Sequence, residues 1–162
     1  MDLKDYIRSI KDYPKKGILF RDITTLIKDE IAFEETINQI VEKSKKFKVD
    51  KIAAIESRGF VFASAVSYIL KKPFIMLRKK NKLPADVHSV NFELEYGTAT
   101  IEVHKDSISE NDSILIIDDL IATGGTAEAA AKLVEISKGN IAAFIFVINL
   151  FDLGGCENLL SC

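Results

Sequence analysis

The chain has 162 residues, enough for one domain with its own core, and 48% of them are hydrophobic, which excludes wholesale disorder. Its 22 Lys and Arg against 24 Asp and Glu leave a formal net charge of −2, not the basic balance of a duplex-binding surface. Its two cysteines, Cys156 and Cys162, form no disulfide framework and point to a reducing compartment, and its longest apolar run, 141–148, is far below the ~20 residues that cross a bilayer. The first ten residues, MDLKDYIRSI, are charged and amphipathic rather than a signal peptide, so a soluble cytoplasmic enzyme or binding domain is expected.

In chain order, Leu3, Ile7 and Ile10 have helical spacing and predict a short opening helix, broken by Tyr13, Pro14 and Gly17. Residues 18–27 are apolar-rich but interrupted by Arg21 and Asp22, and read as loop more than regular element. Phe33, Ile37, Ile40, Val41 and Phe47 make a helical stripe. Residues 52–55 read as a buried strand, followed by Glu56-Ser57-Arg58-Gly59, a helix through Leu70 and a strand over 73–77, one βαβ unit. A basic loop, Arg78 to Lys82, leads to a ribbon around 92–96 and 98–103. There Thr100, Glu102 and His104 alternate with Ile101 and Val103, which predicts one wet face. A second βαβ unit runs from 114–117 through a helix over 127–137, with Ala130, Leu133, Val134 and Ser137 on one face, to a strand over 141–148. Residues 149–162 read as loop plus a short helix. The alternation of strands and helices predicts an α/β fold, doubly wound around a mostly parallel sheet with flanking helices.

The stretch "ILIIDDLIATGGT", residues 114–126, carries the clearest chemistry. An apolar, β-branched run ends in Asp118 and Asp119, and Thr123, Gly124, Gly125 and Thr126 then form a strand-to-helix turn. Ligands bind at such turns in open α/β sheets, glycines let the backbone approach closely, and free amides at a helix start favour a phosphate. Two acids aimed at that phosphate would repel it; a few ångströms away they can accept hydrogen bonds from sugar hydroxyls. The whole reads as a sugar-phosphate site. The plainer reading is a helix start capped by Thr123 or Thr126, with the acids as turn residues. Neither the dinucleotide fingerprint nor the glycine-lysine-serine/threonine phosphate loop is present.

Together with "YPKKGILFRDIT", "ESRGF", "RKKNKLP", "LEYGT" and "NLFDLGG", in that order, this motif resembles the purine phosphoribosyltransferases, and along almost the whole chain the adenine phosphoribosyltransferase family. The resemblance implies a type I phosphoribosyltransferase fold in a single domain, with residues 1–30 as a hood over the base and 78–97 as a flexible active-site loop that orders around ligand. It implies a homodimer and a reaction in which adenine and phosphoribosyl pyrophosphate (PRPP) give AMP and pyrophosphate. Mg²⁺ would be held by PRPP and water rather than directly by the protein, and neither nucleic acid nor membrane is implied as a partner. Family members run on past the "NLFDLGG" segment by a further strand and tail.

The resemblance also assigns roles. Asp118 and Asp119 would bind the ribose hydroxyls, and Ala122, Thr123, Gly124, Gly125 and Thr126 the 5′-phosphate. Glu56, Ser57 and Arg58 would form one pyrophosphate loop, and Arg78, Lys79 and Lys82 a second pyrophosphate-contacting set; Lys80 reads as solvated. Leu19, Phe20, Arg21 and Leu150 would hold adenine, Phe20 and Leu150 by sandwiching the ring and the 18–21 backbone by reading its edge. Glu95 would be the acid/base group, although Glu93 lies on the same alternation and spacing alone does not choose between them. Arg58 would also serve catalysis, its guanidinium gripping phosphate oxygens as charge develops on the leaving group. Where the family has glycine this chain has Asn81, a residue that tolerates left-handed torsions. His88 and His104 read as ordinary surface residues. Two other functions stand beside this one: a non-catalytic PRPP-sensing regulator on the same fold, and a phosphoribosyltransferase for another base.

Overall fold

The computed structural model describes residues 1–94, 97–121 and 124–149, and its chain divides into two compact units, Met1–Glu42 and Lys43–Cys162. In the first unit, Asp2 opens a single 3-10 turn, Leu3–Tyr6, by accepting from the Lys4 amide at 3.0 Å. The backbone is extended again at Ile7, and strand β1 (Arg8–Lys11) pairs antiparallel with β2 (Leu19–Asp22). The expected opening helix is thus a strand from residue 8. Three apolar residues in ten fit more than one period, and the cross-strand bond from Arg8 Nε to Asp22 at 2.9 Å belongs to the paired form.

Residues 18–27 are also more regular than their composition predicts: β2 is followed by a short helix, α1 (Thr24–Ile27). The Asp22 carboxylate accepts from the Thr24 hydroxyl and amide and from Arg8, which together lower its pKa to about 2. Helix α2 (Glu30–Ser44) carries the expected stripe, with Ile37, Ile40 and Val41 buried; Phe47 lies beyond its end and is exposed.

The second unit holds β3 (Lys51–Ile55), α3 (Arg58–Leu70), β4 (Phe74–Lys79), β5 (Val87–Leu94), β6 (Gly97–His104), β7 (Ser113–Ile121), α4 (Gly125–Ile136) and β8 (Asn140–Asn149). They form a six-stranded sheet in the order β5-β6-β4-β3-β7-β8. Strands β4, β3, β7 and β8 are parallel, and β6 joins antiparallel to β4 and β5. The core strands are apolar on both faces, as buried parallel strands must be: Ile52, Ala53, Ala54 and residues Ile114, Leu115, Ile116 and Ile117 are fully buried. One face packs on Ala129, Ala130, Leu133 and Val134 of α4.

The β3–β4 crossover steps one way along the sheet and the β7–β8 crossover the other. With right-handed crossovers the helices cover opposite faces, and the order reverses between β3 and β7, where an open α/β sheet leaves a crevice for ligand.

The ribbon gains detail, and one expectation for it changes. The stretch 78–97, expected as a flexible loop, contains the end of β4 and a full strand, β5, paired with β6 from Val87↔His104 to Leu94↔Gly97. The face expected to be wet is a polar seam instead. Thr100 bonds Asn91, the buried Glu102 accepts from Ser89, and His104 Nε2 accepts from the Ala85 amide at 3.2 Å. Alternation located the polar face, but the partners come from β5 and the turn before it.

Candidate active site

The C-terminal ends of β3 and β7, the starts of α3 and α4 and the β5–β6 hairpin line one cleft of about 940 Å³. The acid pair lies inside β7, not at its end, because the strand runs on to Ile121 through pairing with β8 at Leu120↔Ile148 and Ile121↔Asn149. Asp119 is 5% exposed, and its Oδ2 meets Arg58 Nε at 2.9 Å. Asp118 Oδ1 accepts from the Asp119 amide at 2.9 Å. Burial first, and then the neighbouring Asp119 charge, push the Asp118 carboxyl up to about 8, with Arg58 opposing. Gly59, at the start of α3, permits this arrangement: a Cβ there would stand 2.8 Å from Asp118 Oδ1 and 3.1 Å from the Ile117 carbonyl oxygen.

Both helices begin in the cleft without a side-chain cap. Gly124 precedes α4 in the left-handed region at φ +93°, a torsion that favours glycine, and Ser57 precedes α3. The plainer reading, a threonine cap, is not what forms: Gly124 holds the cap position and Thr126 lies within the first turn. Uncapped first-turn amides carry partial positive charge and suit an anion.

The cleft gathers Glu56, Ser57, Arg58, Lys79, Asp118, Asp119, Gly124, Gly125 and Thr126, residues far apart in the chain. Arg78 and Lys82 are not among its lining residues: Arg78 Nε lies 3.5 Å from Glu56, and Lys82 follows the turn at Asn81. Glu56 Oε1 accepts from the Lys79 amide at 2.5 Å. Burial opposes ionisation of Glu56, but that amide and Arg78 outweigh it and hold the carboxyl below its ordinary range. Asn81 takes φ +67°, the left-handed torsion anticipated for it. Leu19, Phe20 and Arg21 lie on β2 in the first unit, with Arg21 donating to Ser9 Oγ at 2.5 Å and Phe20 edge-on to Tyr13 at 5.1 Å. Ala122, Thr123, Glu95 and Leu150 fall outside the described residues, and Glu93 is exposed on β5.

Sequence reasoning missed Lys80, Phe92, Leu94, Thr98, Thr100 and Phe146, which also line the cleft. The alternation along the ribbon held a signal for Thr98 and Thr100, and the charge run one for Lys80, but neither says that the hairpin closes over α4. Among the described residues, no three His, Cys, Asp or Glu side chains gather to hold a metal ion, and no helix is long and apolar enough to cross a membrane.

A family model for the phosphoribosyl transferase domain matches residues 23–150. The adenine phosphoribosyltransferase of Pelagibacter ubique is 82% identical over 99% of this chain and 92% of its own length, and that of a Cyanothece species 49% identical over 98% and 94%. Among solved structures, the adenine phosphoribosyltransferase of Thermoanaerobacter pseudethanolicus superposes with a TM-score of 0.94 at 46% identity, covering 97% of this chain and 91% of that one. The Saccharomyces cerevisiae enzyme, complexed with an imino-altritol bisphosphate and adenine, superposes at 0.90 with 34% identity, covering 96% and 90%. The sheet order, the acid pair beside an uncapped helix and these likenesses agree: the chain belongs to the phosphoribosyltransferase family, among the adenine phosphoribosyltransferases.

Proposed function

We infer that this chain transfers the 5-phosphoribosyl group of PRPP to adenine, giving AMP and pyrophosphate, a pentosyl transfer of purine salvage. The observation that carries the reading is the cleft at the β3/β7 switch point, where an acid pair faces two uncapped helix starts and the cations Arg58, Lys79 and Lys80. In the proposed assignment the α4 turn, Ala122 to Thr126, takes the 5′-phosphate and Asp118 and Asp119 take the ribose hydroxyls. Arg58, the Glu56–Ser57 turn, Arg78, Lys79 and Lys82 serve the pyrophosphate end; the cleft supports Arg58 and Lys79 most directly.

The bond from the ribose anomeric carbon to pyrophosphate oxygen breaks, its electron pair leaves with pyrophosphate, and an adenine imidazole nitrogen forms the new bond as the ring loses a proton. Cations at the leaving group stabilise the charge that develops there. Glu95 is proposed as the carboxylate that holds the moving imidazole proton. Mg²⁺ is proposed as cofactor. With Asp119 engaged by Arg58, the donor set fits an ion that arrives on the substrate better than a resident one, and Asp118 and Asp119 are the cleft carboxylates that could meet its water shell. Bound there, it would neutralise diphosphate charge.

Adenine is proposed to be held by Phe20 and Leu150 and read by the main chain of residues 18–21. The two-stranded β1–β2 ribbon supports this by holding Leu19, Phe20 and Arg21 extended on one strand. A C=O and an N–H in fixed order suit the six-position of adenine and mismatch a 6-oxopurine. We place the enzyme in the cytoplasm, a reading supported by its cysteine usage, and propose that it works as a homodimer. The exposed apolar residues Val61, Tyr68 and Ile69 on α3 offer surface for that contact.

Incubation with PRPP, Mg²⁺ and a panel of bases tests the reading. Adenine should be consumed with pyrophosphate release, and hypoxanthine and guanine should react with kcat/KM lower by ~10⁴-fold, as where a site is built to hydrogen-bond its substrate. Comparable kcat/KM for hypoxanthine would overturn the base assignment, and PRPP binding without turnover of any base would favour the regulator.

A further inference from the structure

We propose that Glu56 and Glu102 are positioning residues: a partly buried and a buried carboxylate that clamp the main chain of residues 79–81 from opposite sides and so hold Lys79 and Lys80 at the rim of the cleft. This rests on the reading of those cations as pyrophosphate ligands, and it changes what Glu56 is for. The two glutamates come from strands on either side of β4, since the sheet order there is β6-β4-β3.

On the β3 side, the Glu56 amide donates to the Leu77 carbonyl at 3.0 Å, continuing the parallel ladder. The chain then turns away into α3, so the next strand carbonyl is not there to receive Lys79. The Glu56 side chain takes its place, Oε1 accepting from the Lys79 amide at 2.5 Å. On the β6 side, Glu102 stands opposite Arg78 in the antiparallel register. It is 7% exposed, its Oε1 accepts from the Asn81 amide at 2.9 Å, and its Oε2 accepts from the Ser89 hydroxyl.

Amides bonded to carboxylates are charge-assisted and short, so each jaw is stronger than an ordinary turn contact. The clamp also answers an electrostatic problem. Arg78, Lys79, Lys80 and Lys82 crowd four cations into five residues, and two carboxylates at their root offset that repulsion while leaving the lysine side chains exposed. The donors that saturate Glu102, first Ser89 and then the Asn81 amide, hold its carboxyl below the ordinary range, so it stays ionised at neutral pH. Asn81 can be gripped where it is because it adopts φ +67°. The outcome is a fixed platform presenting Lys79 and Lys80, with any ligand-driven ordering confined to the residues beyond it.

The test uses full-length enzyme with PRPP and adenine, read through separate KM values and amide hydrogen exchange. Glu102→Ala should raise KM for PRPP about tenfold, as expected for a lost charge-assisted hydrogen bond, and leave KM for adenine unchanged. Glu102→Gln keeps an acceptor for Asn81 and should recover most of that loss. Exchange at the Asn81 amide should be slow in the unmutated protein and in Glu102→Gln, and fast in Glu102→Ala; Glu56→Gln should do less to the Lys79 amide than Glu56→Ala. In a Lys79→Ala/Lys80→Ala background, Glu102→Ala should add nothing further to KM for PRPP. An unchanged KM for PRPP in Glu102→Ala would overturn the clamp's role. So would a loss shared equally by both substrates, with a lowered Tm that Gln does not restore, because that is a merely structural effect. Wild-type KM for PRPP in Lys79→Ala/Lys80→Ala would instead overturn the pyrophosphate reading of the cations, a failure that the amide exchange separates from failure of the clamp itself.

Discussion

Asp118 on β7 and the glutamates Glu56 and Glu102 on the opposite side of the cleft are held in opposite states. On the β3–β4–β6 side, Glu56 and Glu102 are supplied with amide and hydroxyl donors, and both are held below the ordinary carboxylate range. On the β7 side, Asp118 has the Asp119 amide as backbone donor and the Asp119 charge as neighbour; burial and that charge raise it. A carboxylate saturated by its own fold belongs to the scaffold. One short of donors, in a cleft, is arranged to receive them from a ligand, and vicinal sugar hydroxyls are such donors.

The largest expected effect breaks the β7 wall. Asp118→Asn with Asp119→Asn should lower kcat/KM for PRPP by ~10³-fold, the scale of two lost charge-assisted hydrogen bonds. The melting temperature should hold or rise at neutral pH, because asparagine removes a buried carboxyl that folding must keep protonated above its ordinary pKa. A double variant that keeps wild-type kcat/KM would show that the acids do not grip the ribose, and the contrast between the walls would then have no functional meaning.

A smaller effect should follow from moving the Asp118 carboxylate without removing it. In Gly59→Ala the new Cβ lands 2.8 Å from Asp118 Oδ1 with the Ile117 carbonyl oxygen at 3.1 Å, so the carboxylate must give way. We expect KM for PRPP to rise about tenfold with KM for adenine near its normal value, since small displacements of binding groups carry penalties of that order. Steady-state kinetics against each substrate checks it, and equal losses for both would assign Gly59 a packing role only.

The subtlest expectation concerns pH. Asp118 has an ordinary pKa of 3.8, raised to about 8 in the folded protein. Between those values the folded chain holds a proton that the unfolded chain has released, so this group makes unfolding progressively easier as pH rises from about 4 to about 8. Urea midpoints across that window should fall with pH in the unmutated protein, and the part due to this group should vanish in Asp118→Asn. Identical slopes for the two proteins would mean that Asp118 is ionised throughout, like the glutamates opposite.

Much of this site was legible as local pattern. The apolar runs at 52–55 and 114–117, the helical face of Ala130, Leu133, Val134 and Ser137, and the glycine-hydroxyl turn at 123–126 each depend on neighbours a few residues away. The structure places the first two as core strands and the buried side of α4, and starts α4 at the expected turn. Less legible were the short elements of the first unit. Residues 8–11 and 19–22 become strands by pairing with each other across a turn, and nothing within either segment requires it.

The division falls along sequence separation. The sequence by itself determined the α/β alternation, the acid pair, the glycine-hydroxyl turn and the family, because hydrophobic period, glycine placement and motif chemistry are written into contiguous residues. Only the tertiary structure decided which partner each carboxylate meets. Glu56 finds the Lys79 amide, Glu102 finds Asn81 and Ser89, and Asp119 finds Arg58, partners 13 to 61 positions away (102 − 89 across the hairpin, 119 − 58 across the cleft). Those donors reach the carboxylates because β4 lies between β3 and β6 and because β3 lies beside β7, a strand order that no short stretch of residues encodes.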